Sequence, residues 1–262
     1  MEHHDATAKA LRNSGGRPGV LPREAGIGFN RWLTTASTAG YPAFREYRFL
    51  HWICAAMAAV FALAAYHPDT VFDFFLENGC VSFFVLGLIV TYRKMPLSGL
   101  SYLLILVYLS IHEWGAHYKY SDVPLGEWMK LWLHTKRNMY DRVAHFSFGL
   151  LLSYPFQETF MRAAGVKGRW RYVLPVEATL SFSAIYEILE AGAAMVLTPE
   201  RGEEFVGMQG DMWDSQEDML MAGLGSVVAM IAIALMRMAI EPRRAARAVE
   251  KELAAYRAAR HG

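Results

Sequence analysis

Charged residues and cysteines are scarce in this chain. Only 19% of the 262 residues are charged and two are cysteine, whereas 54% are hydrophobic, and the apolar residues are gathered in runs instead of being spread along the chain. Such a distribution is typical of polytopic membrane proteins. Because Cys54 and Cys80 both lie within apolar runs, a disulfide scaffold is not expected.

The chain also lacks an excess of charge of one sign. Its formal net charge is +1, and its basic residues are distributed over several short segments and the two tails. A nucleic-acid partner would require a basic stripe or patch, so we expect no such partner. The expected partners are membrane lipids, and the sequence does not identify a protein partner.

Six apolar runs are long enough to cross a bilayer, which takes roughly 20 apolar residues per helix. The first run is short and the fifth is long, and helix tilt can absorb both differences. The sequence therefore predicts an all-α fold, a polytopic bundle of about six transmembrane helices. The predicted spans are Leu50 to Tyr66, Val71 to Tyr92, Leu97 to Trp114, Val143 to Phe160, Tyr172 to Leu197 and Met219 to Ile240.

These runs divide the chain into a polar tail at residues 1–48, a transmembrane domain at residues 49–241 and a basic amphipathic tail at residues 242–262. The first tail is too polar and too long to be a cleavable signal peptide, so we expect the first apolar run to remain as an anchor. The last tail combines helical spacing of apolar residues with several arginines, which suits the anionic inner leaflet.

The distribution of lysine and arginine predicts the orientation of the spans. With the N-terminal tail inside, the inner segments carry 19 of these residues and the outer segments carry six. Cytoplasmic segments of membrane proteins hold the excess of Lys and Arg. Both termini are therefore predicted to lie in the cytoplasm.

Acidic and histidine side chains lie at the predicted outer ends of the spans, where charge is costly unless it is paired, bound to a metal or hydrated. Because they belong to separate helices that deliver them to one layer, we expect them to meet. Three groups share a helix face by their spacing, namely Asp141 with His145, Glu187 with Glu190, and, if the last helix starts early, Asp211 with Asp214 and Asp218. Further polar candidates are Glu77, His112, His117 and Gln209.

Imidazole and carboxylate groups together suit a divalent ion such as Zn²⁺ or Mn²⁺, whose charge would offset the cost of burying the acids. The expected metal ligands are Asp141, His145, Glu187, Glu190 and Asp214. Asp218 or Glu190 is expected to activate a water that the metal polarises. The segment from His112 to His117 resembles an HExxH motif only superficially, because its second histidine comes one residue too late to share the helix face.

The same residues have explanations without a bound ion. His145 and the Glu187/Glu190 pair can form a structural network of ion pairs with residues such as Arg142 or His112. The acids before the last span can belong to a solvated loop and a helix N-terminus, where the helix dipole stabilises negative charge. Tryptophan and tyrosine near the outer ends are explained by an interfacial belt.

Four sequence blocks carry most of these residues, namely HEWGAHYKYSDVPLG, NMYDRVAHFSFG, YEILEA and GDMWDSQEDMLMAGLGS. With their spacing, over about residues 77–228, they resemble the signature blocks of the YjdF-type family of bacterial inner-membrane proteins. The resemblance implies a multi-pass protein of the inner membrane and assigns no reaction. More remotely, Asp141, His145, a glutamate of the next helix and Asp214 or Asp218 are similar to the pattern of VanZ-like proteins, which are associated with glycopeptide resistance at the cell envelope.

With the predicted orientation, these features indicate an outward-facing intramembrane site of histidine and carboxylate groups. The leading hypothesis is a metal-dependent hydrolase that acts on a lipid or a lipid-linked envelope substrate. The first alternative is an ion- or proton-coupled transporter, although the inner halves of the fourth and sixth spans offer few polar residues. The second alternative is a non-catalytic structural or partner-binding membrane protein.

Overall fold

The computed structural model describes residues 44–198, 202 and 209–261, with the side chains of the last helix described up to Ile240. A short 3-10 turn at Phe44–Glu46 precedes seven α-helices in this part of the chain. No β-strand occurs among the described residues, so the predicted all-α bundle is confirmed. The helices are α1 Arg48–Ala64, α2 Val71–Thr91, α3 Gly99–His117, α4 Pro124–Leu133, α5 Tyr140–Ala163, α6 Trp170–Val196 and α7 Asp214–His261.

Length and apolar character divide the helices into two kinds. Among the described residues, α2, α6 and the part of α7 up to Ile240 are long and apolar enough to cross a membrane, and α1 is a shorter apolar helix. The helices α3 and α5 have 19 and 24 residues, which is about the length of a bilayer crossing, but they carry many buried polar side chains. The number of six crossings and the cytoplasmic position of both termini stay predictions.

Helix α5 lies at the centre of the bundle. It packs most extensively against α7, and also against α3 and α6, while α1 and α2 pack on α3 and α4 packs on α5. Glycines allow the closest crossing, because a Cβ atom at Gly149 of α5 would overlap the main chain of α7 at Ala222. In the same way, a Cβ atom at Gly225 of α7 would overlap the main chain of α5 at Phe146. Small residues at such positions let membrane helices approach closely.

Small hydroxyl side chains fill the interface of α5, α6 and α7. The Ser153 hydroxyl lies 2.5 Å from that of Ser226 and 3.4 Å from that of Thr179, and all three residues are fully buried. Further along the same interface, Gln157 accepts a hydrogen bond from Arg237 at 3.0 Å. Such interhelical hydrogen bonds hold helices together where lipid gives no hydrophobic driving force.

Helix α4 lies within the connection between α3 and α5, where the sequence patterns predicted no helix. Pro124 is its first residue, and the fixed backbone angle of proline favours a helix start. Trp128 and Trp132 stack on each other with their ring centroids 6.2 Å apart, and both are exposed. Aromatic side chains of this kind are enriched at membrane interfaces, which explains their exposure on α4.

The predicted orientation can be measured with reporter fusions. A reporter placed after Gly262 or after Arg169 is expected to be cytoplasmic, and one placed near Glu203 is expected to be external, because the inner segments hold the excess of Lys and Arg. Alkaline phosphatase and a fluorescent protein, used as a pair, would give opposite signals at each position. An external C-terminus would contradict the outward-facing site.

Candidate functional site

The polar ends of five helices meet at one end of the bundle, which we call the polar end. Helices α2, α5 and α7 begin there, whereas α3 and α6 end there, so residues far apart in sequence come together. Tyr186 of α6 donates a hydrogen bond to Glu77 of α2 at 2.5 Å. His145 of α5 has its Nε2 atom 3.5 Å from Oε1 of Glu187 in α6.

His145 is at the centre of the first group of side chains. Its Nε2 atom lies 3.6 Å from Oδ1 of Asp141, one turn earlier in α5, and its Nδ1 atom lies 3.5 Å from the Ser183 hydroxyl. Asp218 of α7 completes the group, because ligand atoms of Asp141, His145 and Asp218 all lie within 4.8 Å of one another. Ligand atoms around one metal ion, at about 2.0–2.1 Å from it, lie roughly 3.3 Å from one another, so the three side chains would have to move slightly inward to bind one.

Two buried arginines hold the acids at the start of α7. Arg142 of α5 forms ion pairs with Asp214 at 2.8 Å and with Asp218, and it reaches Glu217 at 3.0 Å. Arg137, in the segment before α5, also pairs with Asp214. Asp214 is therefore held by two guanidinium groups, and Asp218 is the aspartate of α7 that the structure places with Asp141 and His145.

Asp211 and Gln209 stabilise the approach to α7. This helix begins at Asp214, so Asp211 precedes it instead of sharing its stripe. One carboxylate oxygen of Asp211 lies 3.4 Å from Arg137, and the other accepts a hydrogen bond from the backbone N–H of Trp213 at 2.9 Å. The Gln209 side chain accepts a hydrogen bond from the backbone N–H of Asn138 at 2.7 Å, which joins the segments before α5 and α7.

Glu190 lies on the same side of α6 as Glu187, about one turn further along the helix. It is half-buried, and it is not one of the three grouped residues Asp141, His145 and Asp218. The roles predicted for Glu190 and for Asp214 as metal ligands stay predictions.

The two histidines at the end of α3 have different partners. The Nδ1 atom of His117 lies 2.7 Å from the carbonyl oxygen of Ala64 in α1, whereas that of His112 lies 2.6 Å from the hydroxyl of Tyr120. His112 is buried, and its Nε2 atom has no hydrogen-bond partner in the described part of the chain. The structure thus separates the two histidines, as the spacing of the HExxH-like segment indicated.

Tyr120 belongs to the site, although the sequence patterns did not point to it. Lys119 and Tyr120 have φ angles of 55° and 54°, in a region that residues other than glycine rarely adopt. The Tyr120 ring packs against Gly115, where a Cβ atom would overlap it. Burial raises the pKa of the Tyr120 phenol well above its ordinary value, so the phenol stays protonated.

A cavity of about 490 Å³ opens beside these residues. Asp141, His145, His112 and Tyr120 line it at the polar end. Its size lies within the roughly 300–1,000 Å³ that is common for small-molecule sites. The rest of the wall is largely apolar and includes Phe84, Leu109, Phe148, Leu152, Phe156 and Leu189.

The fold and the site define a helical membrane protein with a buried polar centre. Residues 49–239 match the family described as predicted membrane protein (DUF2238), and the chain belongs to this family. Over 148 residues it is 37% identical to inner membrane protein YjdF of Escherichia coli (strain K12), which covers 56% of this chain and 70% of that protein. No solved structure matches the chain.

These matches confirm two predictions from the sequence. The chain belongs to the YjdF-type family, and it is an integral protein of the bacterial inner membrane. They do not support the more remote VanZ-like resemblance.

Proposed function

We propose that the protein is a metal-dependent hydrolase that acts on a lipid or a lipid-linked envelope substrate. The proposal depends on one observation, the group of Asp141, His145 and Asp218 beside the polar end of an apolar cavity. These three side chains would hold one divalent cation, Zn²⁺ or Mn²⁺, because imidazole and carboxylate ligands suit both ions.

Carboxylate oxygens that accept no hydrogen bond support a cation at this point. Oδ1 of Asp218 and Oε1 of Glu187 are buried and accept no hydrogen bond from the described residues. Asp218 is only 2% exposed, so bulk solvent hardly reaches it. Leaving a buried polar group without a partner is costly. A cation bound to Oδ1 of Asp218 would remove this cost, while the Oδ2 atom keeps its ion pair with Arg142.

The charges around the group also favour a bound cation. Within the described part of this cluster, six carboxyl groups face two guanidinium groups and one imidazole. In a membrane protein such a surplus of acid is neutralised by protons or by a bound cation. The acids are Asp141, Glu187, Asp211, Asp214, Glu217 and Asp218, and the basic groups are Arg137, Arg142 and His145.

Two neighbouring side chains would take part in hydrolysis. A bound divalent ion would activate a water and polarise a carbonyl or phosphoryl oxygen of the substrate. Glu187, whose Oε1 atom accepts no hydrogen bond from the described residues and lies 3.5 Å from Nε2 of His145, is placed to accept the proton of that water, a role that the sequence suggested for Asp218 or Glu190. Tyr120 lines the cavity and can donate a hydrogen bond to the polar group of the substrate.

Metal content and hydrolysis together test the proposal. Wild-type protein purified in detergent is expected to contain Zn or Mn by elemental analysis, and His145→Ala and Asp141→Asn are expected to lower the bound metal by about tenfold or more. Hydrolysis would be followed with a fluorescent acyl phospholipid and with an isoprenyl diphosphate. Turnover of one of them should fall together with the metal.

Glu177→Gln is the matched control, because it removes an exposed acid of α6 that lies away from the site. It is expected to leave metal content and hydrolysis unchanged. A stable wild-type protein without metal, after purification in the absence of chelators and incubation with Zn²⁺ or Mn²⁺, would refute the proposed metal site.

One observation favours the transporter alternative. Buried hydroxyl groups extend from Ser183, beside His145, through Thr179 and Ser153 toward the opposite end of the bundle, where Arg237 is bonded to Gln157. If this row of hydroxyl groups conducts protons, Ser153→Ala should abolish proton uptake into vesicles and leave bound metal in place. Proton uptake that depends on Ser153, without any hydrolysis, would decide for transport.

A further inference from the structure

We propose that the cavity beside the site binds one hydrocarbon chain of a bilayer lipid, which enters sideways between α2 and α6. The role of that lipid as the substrate rests on the proposed function. Binding of the chain itself depends only on the shape and the lining of the cavity.

The cavity reaches the surface of the bundle between α2 and α6. Helix α2 packs on α3, and α6 packs on α5 and α7, whereas α2 and α6 make little contact with each other. The hydrogen bond from Tyr186 to Glu77 joins them near the polar end. Phe83 lies further along α2, about 9 Å from Glu77 at about 1.5 Å per residue. The gap therefore lies on the far side of this hydrogen bond from the polar end, among apolar residues.

The rim of the gap is a lipid-facing surface. Phe83 of α2 is 80% exposed and Phe182 of α6 is 53% exposed, and both line the cavity. Ile185, one turn along α6 from Phe182, is 51% exposed and lines it as well. Both helices are long and apolar enough to cross a membrane, so their exposed apolar side chains meet acyl chains in the bilayer.

The size and the lining of the cavity select its occupant. The volume of about 490 Å³ lies within the roughly 300–1,000 Å³ that is common for sites that enclose a small molecule, and a single lipid chain is a molecule of that class. The deep wall contains Leu109 and Leu152, which are buried, together with Phe148. The apolar part of the wall offers water no hydrogen-bond partners, so this part of the cavity favours apolar molecules. Lipid chains are the apolar molecules that a sideways opening meets.

The polar end determines which way the lipid lies. Asp141, His145 and Tyr120 line that end of the cavity. A chain that fills the apolar part therefore brings the ester or diphosphate linkage of its lipid next to the histidine and the carboxylates. The hydrocarbon chain of the lipid binds in the apolar part of the cavity. The polar linkage then reaches the only described part of the cavity wall that carries carboxylate and imidazole groups together.

Photocrosslinking of the full-length protein in vesicles tests the inference. The vesicles consist of phosphatidylethanolamine and phosphatidylglycerol with a small fraction of phosphatidylcholine that carries a diazirine in the middle of one acyl chain. Peptide mapping is expected to find adducts on Leu109 and Leu152, which are 2% and 3% exposed and which line the cavity. Leu86 of α2 is exposed and lies outside the cavity lining, so its adducts serve as an internal standard.

A matched pair of variants on α6 tests the route. Ile185→Trp places a large side chain at the opening and is expected to lower the adducts on Leu109 and Leu152 severalfold, relative to those on Leu86. Ile188→Trp is the control, because Ile188 is 69% exposed on the same helix and does not line the cavity. It is expected to change neither set of adducts.

Two results would overturn the inference. They are adducts confined to the exposed surface of the bundle, and adducts on Leu109 and Leu152 that persist unchanged in Ile185→Trp. A second arm with a diazirine-bearing isoprenyl phosphate distinguishes the kind of chain, since labelling of the deep wall by only one of the two probes identifies it. Chelation of metals before irradiation is not expected to alter the pattern, so chain binding and metal binding are tested separately.

Discussion

Replacing Arg142 with methionine is expected to lower the free energy of unfolding by about 3–5 kcal/mol, because it leaves the buried carboxylate of Asp218 without its arginine and removes one of the two arginines that pair with Asp214. The Arg142 side chain is 4% exposed, and those of Asp214 and Asp218 are 5% and 3% exposed. Methionine keeps much of the length and the apolar contacts of the arginine side chain. The loss of stability therefore reports the removed charge.

Unfolding in mixed micelles of increasing dodecyl sulfate content would measure this change, with tryptophan fluorescence as the signal. Arg93→Met is the control, since Arg93 is exposed just after α2, and it is expected to change stability by no more than about 0.5 kcal/mol. Combining Arg142→Met with Asp214→Asn and Asp218→Asn should recover part of the loss, because neutralising a whole buried ion-pair set costs less than removing one member. If Arg142→Met lowers the free energy of unfolding by less than about 1 kcal/mol, the buried ion pairs of Arg142 do not stabilise the fold as expected.

The positions of the apolar helices could be predicted from the sequence. The predicted span from Val71 to Tyr92 corresponds to α2, Val71–Thr91, and the span from Tyr172 to Leu197 corresponds to α6, Trp170–Val196. The physical reason is that lipid offers no hydrogen bonds to the backbone, so a long apolar run satisfies its own backbone groups by forming a helix.

The pairing of acids with bases could not be predicted in the same way. Asp214 and Asp218 lie four residues apart on one face of α7, so helical spacing alone does not decide which of them meets His145. The rotation of α7 against α5 decides it, and that rotation is set by the close crossing at Gly149 and Gly225. Arg142 immediately follows Asp141, which was the available sign that an arginine would compete for the acids.

The position of the Tyr120 ring against Gly115 is even harder to predict from the sequence than the pairing of acids with bases. Its position depends on two successive residues with positive φ, a conformation that glycine, asparagine and aspartate favour and that Lys119 and Tyr120 do not reveal. Such strained backbone persists only where the surrounding structure holds it, here by the space at Gly115 and the bond to His112. The sequence therefore predicted the acids and the histidine of the candidate site more fully than its hydrogen-bond donors.

The two aspartates of α7 are expected to respond differently to the same substitution. Asp218→Asn should lower bound metal by about tenfold or more, because it removes a charged ligand from the group with Asp141 and His145. Asp214→Asn should retain the metal and lose stability, because Arg137 and Arg142 then lack the carboxylate that both of them contact.

Elemental analysis and unfolding in dodecyl sulfate, carried out on the same preparations, separate these outcomes. Asparagine nearly matches aspartate in shape, so the comparison isolates the charge. Loss of metal in Asp214→Asn but not in Asp218→Asn would show that Asp214 is the metal ligand, as predicted from the sequence. Asp218 would then serve only as an ion-pair partner of Arg142. A third outcome is a wild-type protein that binds no metal and an Asp218→Asn variant that loses stability as Arg142→Met does. The histidine and carboxylate group would then be a structural network of buried ion pairs, because a metal site requires that bound metal depend on Asp218.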